Sequence, residues 1–88
     1  MKEIALVTGA NKGIGFEIVR QLAKSGMHVI LGARNRDRGK KALSDLEKEG
    51  LDVELLEIDV SKSDSIAQAV QQLEKKFDHL DVLVNNAG

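Results

Sequence analysis

Short apolar runs of strand length alternate along this chain with longer segments in which apolar residues recur every three or four positions, and few folds accept that alternation. Each run supplies a strand and each periodic segment a helix. Strand-helix-strand units joined by right-handed crossovers build a parallel sheet. The predicted strands are Glu3 to Thr8, Met27 to Ala33, Asp52 to Asp59 and Asp81 to Asn85. In the second, Val29, Ile30 and Leu31 are apolar without alternation, the pattern of a strand covered on both faces.

The first predicted helix follows a glycine-rich turn, places Ile14, Ile18, Val19 and Leu22 on one face, and stops at Gly26. The second runs from Asp37 to Glu49, with Ala42, Leu43 and Leu46 inward and Gly50 closing it. The third is predicted to begin at Ser61, where Ser61 and Asp64 fit a capping box. Its inward stripe is Ile66, Val70, Leu73 and Phe77. The expected fold is α/β: a partial Rossmann arrangement, that is, a doubly wound parallel sheet of four strands in the order 3-2-1-4 with three helices, forming one domain over residues 1–88.

Composition narrows the chemistry. The 42% hydrophobic and 31% charged content is that of a folding chain rather than a disordered one. The absence of cysteine removes disulfides, thiolate nucleophiles and sulfur-ligated metals. A net charge of -1 gives no global attraction to nucleic acid or to an anionic membrane. The apolar runs Ile4 to Val7 and Val82 to Val84 are far too short to span a bilayer, so a cytoplasmic location is expected. Arg34, Arg36, Arg38, Lys40 and Lys41 form a basic run, but no aromatic residue interleaves it for base stacking, and Arg36 and Arg38 read as surface positions.

The turn Thr8-Gly9-Ala10-Asn11-Lys12-Gly13-Ile14-Gly15 lies between the first strand and the first helix, where backbone N–H groups converge and attract phosphate. Gly9, Gly13 and Gly15 can serve a tight turn, the approach of backbone to a pyrophosphate, and close packing of helix on strand. A glycine turn can also simply join two elements; its place in a strand-turn-helix unit favours the binding reading. At the end of the second strand, where dinucleotide folds usually hold an acidic residue for the ribose hydroxyl, this chain has Arg34. Either cation alone could be a solvated loop charge, but a guanidinium suits a 2'-phosphate, and Arg34 with Lys12 points to NADP (NADPH) rather than NAD.

With Thr8 to Gly15, Asp59-Val60 and Asn85-Asn86-Ala87-Gly88, the chain resembles the short-chain dehydrogenase/reductase family over its whole length. The segments Val7 to Gly15, Ala33-Arg34 and Asp81 to Gly88 are most similar to the carbonyl-reductase-like branch, which uses NADPH. The resemblance implies that Asn11, Lys12 and Ile14 line the phosphate site, that Asp59 meets the adenine amino group with Val60 beside it, and that Asn86, Ala87 and Gly88 border the adenosine ribose. Asp59 is also placed to cap the turn into the third helix, and Asn85 to brace the sheet.

The family's hydride transfer uses a tyrosine acid/base, a lysine that lowers its pKa and a serine that holds substrate. All three lie beyond the Asn-Asn-Ala-Gly motif in family members, and this chain has no tyrosine. It is therefore expected to be a truncated cofactor-binding portion, inactive alone; the alternative is a stand-alone or engineered Rossmann module that binds a nucleotide or self-associates without catalysis. His28 and His79 read as structural, and Glu47, Glu49, Glu54 and Glu57 as solvated faces. The apolar strand at residues 81–85 is expected to stand at a sheet edge and to favour a homo-oligomer.

Overall fold

The computed structural model of the protein describes residues 2–86. Seven elements follow one another: β1 (Ile4–Val7), α1 (Gly13–Lys24), β2 (His28–Ala33), α2 (Arg36–Glu47), β3 (Val53–Glu57), α3 (Ser63–Lys76) and β4 (Val82–Val84). The four strands form one parallel sheet in the order β3-β2-β1-β4. Fold class and strand order are those read from the alternation of runs and periods. Each strand is one to three residues shorter than the span predicted for it.

Period-two alternation divides the apolar residues between the two faces of the sheet. Ala5, Val7, Val29, Leu31, Ala33 and Val53 pack with Val19 and Ala23 of α1 and with Ala42 and Leu46 of α2. Leu6, Ile30, Leu56 and Ile58 pack with Ala69 of α3 on the other face. The unbroken apolar run in β2 is thereby explained: neighbouring residues serve opposite layers. α1 and α2 end as expected, with Gly26 N–H bonded to the Ala23 carbonyl and Met27 N–H to that of Leu22, and with the equivalent pair Gly50 to Glu47 and Leu51 to Leu46.

Three expectations about the helices are corrected. Ile14 does not share the inward face of α1; it stands in the first turn, 75% exposed, while the neighbouring Gly15 takes the position against the glycine turn and Asn86. The Ser61–Asp64 capping box does not form. α3 starts two residues later, and Ser61 turns back to bond Asp59 instead. Finally, the inward stripe of α3 is only half covered: Ala69 is buried, while Ile66 and Val70 are exposed along the flank.

Glu54 is not a solvated face either. It lies at the amino end of the sheet, where its carboxylate receives Lys76 Nζ at 2.9 Å and approaches His28 Nε2 at 2.6 Å. Asp52 holds Lys2 Nζ at 2.9 Å and lies 3.1 Å from His28 Nδ1. Burial opposes ionisation of Glu54, but the bonds from Lys76 and His28 outweigh it and hold the carboxyl below its ordinary range. At Asp52 the hydrogen bond from Lys2 outweighs burial, and His28 adds to it, with the same result.

A carboxyl whose pKa is depressed by folding contributes stability above its unfolded value, about 3.9 for Asp and 4.3 for Glu, and loses it as pH falls through the folded value. The urea midpoint is accordingly expected to fall from about pH 5 downward, with a shallower fall in Glu54→Gln. Equal pH dependence in the two proteins would exclude Glu54 as a contributor.

Candidate functional site

The carboxyl ends of the four strands carry every loop of interest. β1 runs into Thr8 and the glycine turn, β2 into Arg34, β3 into Ile58 and Asp59, and β4 into Asn85 and Asn86. In the order β3-β2-β1-β4 the connections reverse direction at β1, and the crevice beyond the strand ends at such a switch point is where open α/β sheets bind ligands.

The glycine turn is held from both sides. Ala10 N–H donates to the Gly32 carbonyl of β2 at 2.9 Å. On the β4 side, Thr8, 4% exposed, donates from N–H to the Val84 carbonyl at 3.0 Å and from Oγ1 to Asn85 Oδ1 at 3.1 Å. Thr8 Oγ1 also accepts from Asn86 N–H at 3.1 Å, and Asn86 Nδ2 donates to the Gly9 carbonyl at 3.1 Å. Asn85 thus braces the sheet through Thr8. The segment after β4 and the turn after β1 are one hydrogen-bonded unit, although 77 residues separate Gly9 from Asn86.

Gly9 and Gly13 have φ of 60° and 63°, a region comfortable only for glycine. Gly15 serves close approach: a Cβ there would lie 2.5 Å from the Gly9 carbonyl oxygen and 2.6 Å from Asn86 Nδ2. No side chain caps α1, no acid lies in its first turn, and Lys12 precedes it. The partial positive charge of that helix end is therefore left for an anion. α2 differs, because Asn35 Oδ1 accepts from Arg38 N–H at 2.9 Å.

Above the turn lies a cavity of about 550 Å³, within the range of small-molecule sites. Its walls bring together Gly9, Asn11, Lys12, Gly13, Arg34, Asp59, Val60 and Asn86, all singled out from the sequence. Ile58 and Ser61, neither of them expected at the site from the sequence, complete the walls. Gly15 lies buried beneath the turn, and Ile14 is not part of the wall. Ala87 and Gly88 lie outside the described residues.

A recess of about 300 Å³ adjoins the cavity, sharing Asn11, Lys12 and Gly13 and adding Phe16, Arg38, Lys41, Ala42 and Asp45. Arg38 is exposed, as expected, yet it lines this recess with Lys12. The spacing of Arg38, Lys41 and Asp45 at three and seven positions along α2 was the available signal, since it sets them on one helical face.

Asp59 divides its bonds. Oδ1 accepts from Ser61 N–H at 3.0 Å and from Ser61 Oγ at 2.6 Å, while the Asp59 N–H donates to Ser65 Oγ at 2.8 Å. The Ser61 hydroxyl, followed by its backbone N–H, holds the Asp59 carboxyl below the usual range, so it is ionised near neutrality. The site thus offers cations and helix N–H groups at one end and a fixed acceptor at the other.

His28 lies among carboxylates at the amino end of the sheet, and His79 pairs with Asp81 at 3.3 Å. Among the described residues no group of three or more His, Cys, Asp or Glu could hold a metal ion, and no helix is long and apolar enough to cross a membrane.

Residues 3–88 match the family profile described as short chain dehydrogenase. The chain is 48% identical over 90 residues to short-chain dehydrogenase/reductase 1 of Saponaria officinalis, covering 99% of this chain and 30% of that protein. It is 47% identical over 88 residues to carbonyl reductase [NADPH] 1 of Mus musculus, covering 99% of this chain and 32% of that protein. Its fold superposes on menthone neomenthol reductase of Mentha piperita with a TM-score of 0.94 and 48% identity, over 100% of this chain and 32% of that one. The chain spans about a third of the length of these relatives.

Proposed function

Because the chain belongs to the short chain dehydrogenase family, we propose that it forms the NADP(H)-binding portion of an oxidoreductase acting on a carbonyl or alcohol. The observation that carries this reading is that Lys12, Arg34 and Asp59 line one cavity above the uncapped amino end of α1. The cofactor's diphosphate would be held by that helix end with Asn11, Gly13 and Ile14. Its 2'-phosphate would pair with Arg34 and Lys12, and its adenine amino group with Asp59, flanked by Val60. Asn86, Ala87 and Gly88 would border the ribose. The similarity to carbonyl reductase [NADPH] 1 of Mus musculus supports the choice of NADP.

When bound, the nicotinamide supplies or accepts hydride. This chain's residues bind and orient the nucleotide; with no tyrosine in the chain, the proton donor of the reaction is not among them. The 88-residue chain is accordingly inactive alone in this reading. Calorimetric titration with NADPH and NADH tests it: NADPH binds the more tightly, and adenosine 2',5'-bisphosphate retains most of its affinity. Failure of the chain to bind either dinucleotide would overturn the proposal.

A second reading concerns assembly. Among the described residues β4 pairs with β1 on one side only, and Leu83 on its apolar run is 63% exposed. We infer that two copies associate through the strand at 81–85, since a bare apolar edge templates further pairing. Size-exclusion chromatography that gave a stable monomer at high concentration would rule this out.

A further inference from the structure

Asp59 has two carboxylate oxygens, and the structure treats them differently. Oδ1 takes both donors of Ser61, the hydroxyl at 2.6 Å and the backbone N–H at 3.0 Å. Oδ2 receives no hydrogen bond from any described residue. The backbone of Asp59 is also fixed, because its N–H donates to Ser65 Oγ at 2.8 Å from the first turn of α3. Both Asp59 and Ser61 line the main cavity. Turning the carboxylate away from this setting would break the Ser61 bonds, so the group stands pre-arranged, with one oxygen occupied and the other available.

We propose that Ser61 is a positioning residue that sets base selectivity in this site, by locking Asp59 so that its remaining oxygen accepts from a purine 6-amino group and rejects a 6-oxo group. This rests on the nucleotide reading given above. An ionised carboxylate only accepts hydrogen bonds; it rewards an amino donor and repels a carbonyl oxygen. Ionisation is secured by the Ser61 hydroxyl first, then the Ser61 N–H, with the charges of Lys62 and Arg34 contributing in the same direction. A carboxylate free to rotate would swing its charge away from a 6-oxo group and lose much of its discrimination. The lock is therefore what turns an ionised side chain into a base-reading one.

The test compares adenosine 2',5'-bisphosphate with inosine 2',5'-bisphosphate, which share every phosphate contact and differ on one base edge, where inosine has a 6-oxo group and an N1 proton that a locked Oδ2 facing the 6-position does not reach. The chain is expected to prefer the adenine form by about tenfold, the size of one charge-assisted hydrogen bond. In Ser61→Ala the backbone N–H still reaches Oδ1, so the preference falls to about threefold rather than vanishing; Ser61→Thr, which keeps the hydroxyl, restores it. In the same Ala variant, without ligand, the Asp59 carboxyl followed by NMR titrates at higher pH. Ser61→Cys, close in size and a feeble donor, gives the same readings should the Ala variant fail to fold.

An unchanged preference in the Ala and Cys variants would overturn the role of Ser61 and leave the nucleotide site standing. Binding of both bisphosphates without preference would overturn base reading by Asp59 and leave phosphate recognition standing. Binding of neither would overturn the nucleotide reading, and this inference with it.

Discussion

Replacing Gly15 with alanine is expected to destabilise the protein by about 2–3 kcal/mol, although the same change in an ordinary helix interior stabilises by about 0.5–1 kcal/mol. The new Cβ would stand 2.5 Å from the Gly9 carbonyl oxygen, 2.6 Å from Asn86 Nδ2 and 3.0 Å from Ala10 Cα. Two of the three obstacles are backbone, and the third is the side chain that ties the segment after β4 to the glycine turn. Relief requires either lifting α1 from the sheet or breaking the Asn86–Gly9 bond, itself worth about 1 kcal/mol.

Gly39→Ala provides the contrast. There a Cβ would meet the end of the Leu55 side chain at 2.6 Å, and that end can rotate aside. Its cost is expected to stay near 1 kcal/mol. Urea denaturation of the two variants decides between them, and a Gly15→Ala protein as stable as the parent would refute the close-approach account. An 88-residue chain holds only about 4–13 kcal/mol of stability, so the expected loss is a large fraction of the total. Nucleotide affinity should fall as well, because the displaced turn forms the cavity floor.

Arg34→Asp is expected to weaken NADPH binding by about 100-fold and to reverse the preference between NADPH and NADH. A charge-assisted bond to the 2'-phosphate contributes about 1.5–3 kcal/mol, and the substitution puts a repelling charge in its place. The same carboxylate can accept from a ribose 2'-hydroxyl, so NADH loses little or gains. Arg34 is exposed and makes no hydrogen bond or ion pair to another described residue, so the fold should be unaffected. Because the site is open to solvent, the NADPH penalty should shrink as salt is raised. An unchanged ratio of the two affinities would remove Arg34 from phosphate recognition and leave the preference to Lys12 and the recess that Arg38 shares with it.

Much of the site was legible before the fold because its signals are local. The spacing of Gly9, Gly13 and Gly15 and the position of Arg34 after an apolar run needed only the neighbouring residues to be read. Eight of the twelve residues singled out from the sequence meet at one cavity. Ser61 was misread by the same local logic: its spacing to Asp64 fits a capping box, but its N–H and its hydroxyl both donate to Asp59, two residues before it. Glu54 was misread because its partners, His28 and Lys76, are 26 and 22 residues away, beyond the reach of any local pattern.

By itself the sequence determined the elements, their order and the parallel sheet, since hydrophobic period and glycine punctuation act over a few residues and survive any arrangement of the rest. The tertiary structure decided what depends on distant residues meeting. It places Asn86 against Gly9 and leaves no room for a side chain at Gly15. It buries Ala69 while leaving Ile66 and Val70 along an open flank, because an amphipathic stripe states which face is apolar and not how much of it the sheet will cover. It also ties the Asp59 N–H at the end of β3 to Ser65 Oγ in the first turn of α3, a contact between two elements that no pattern within either one specifies.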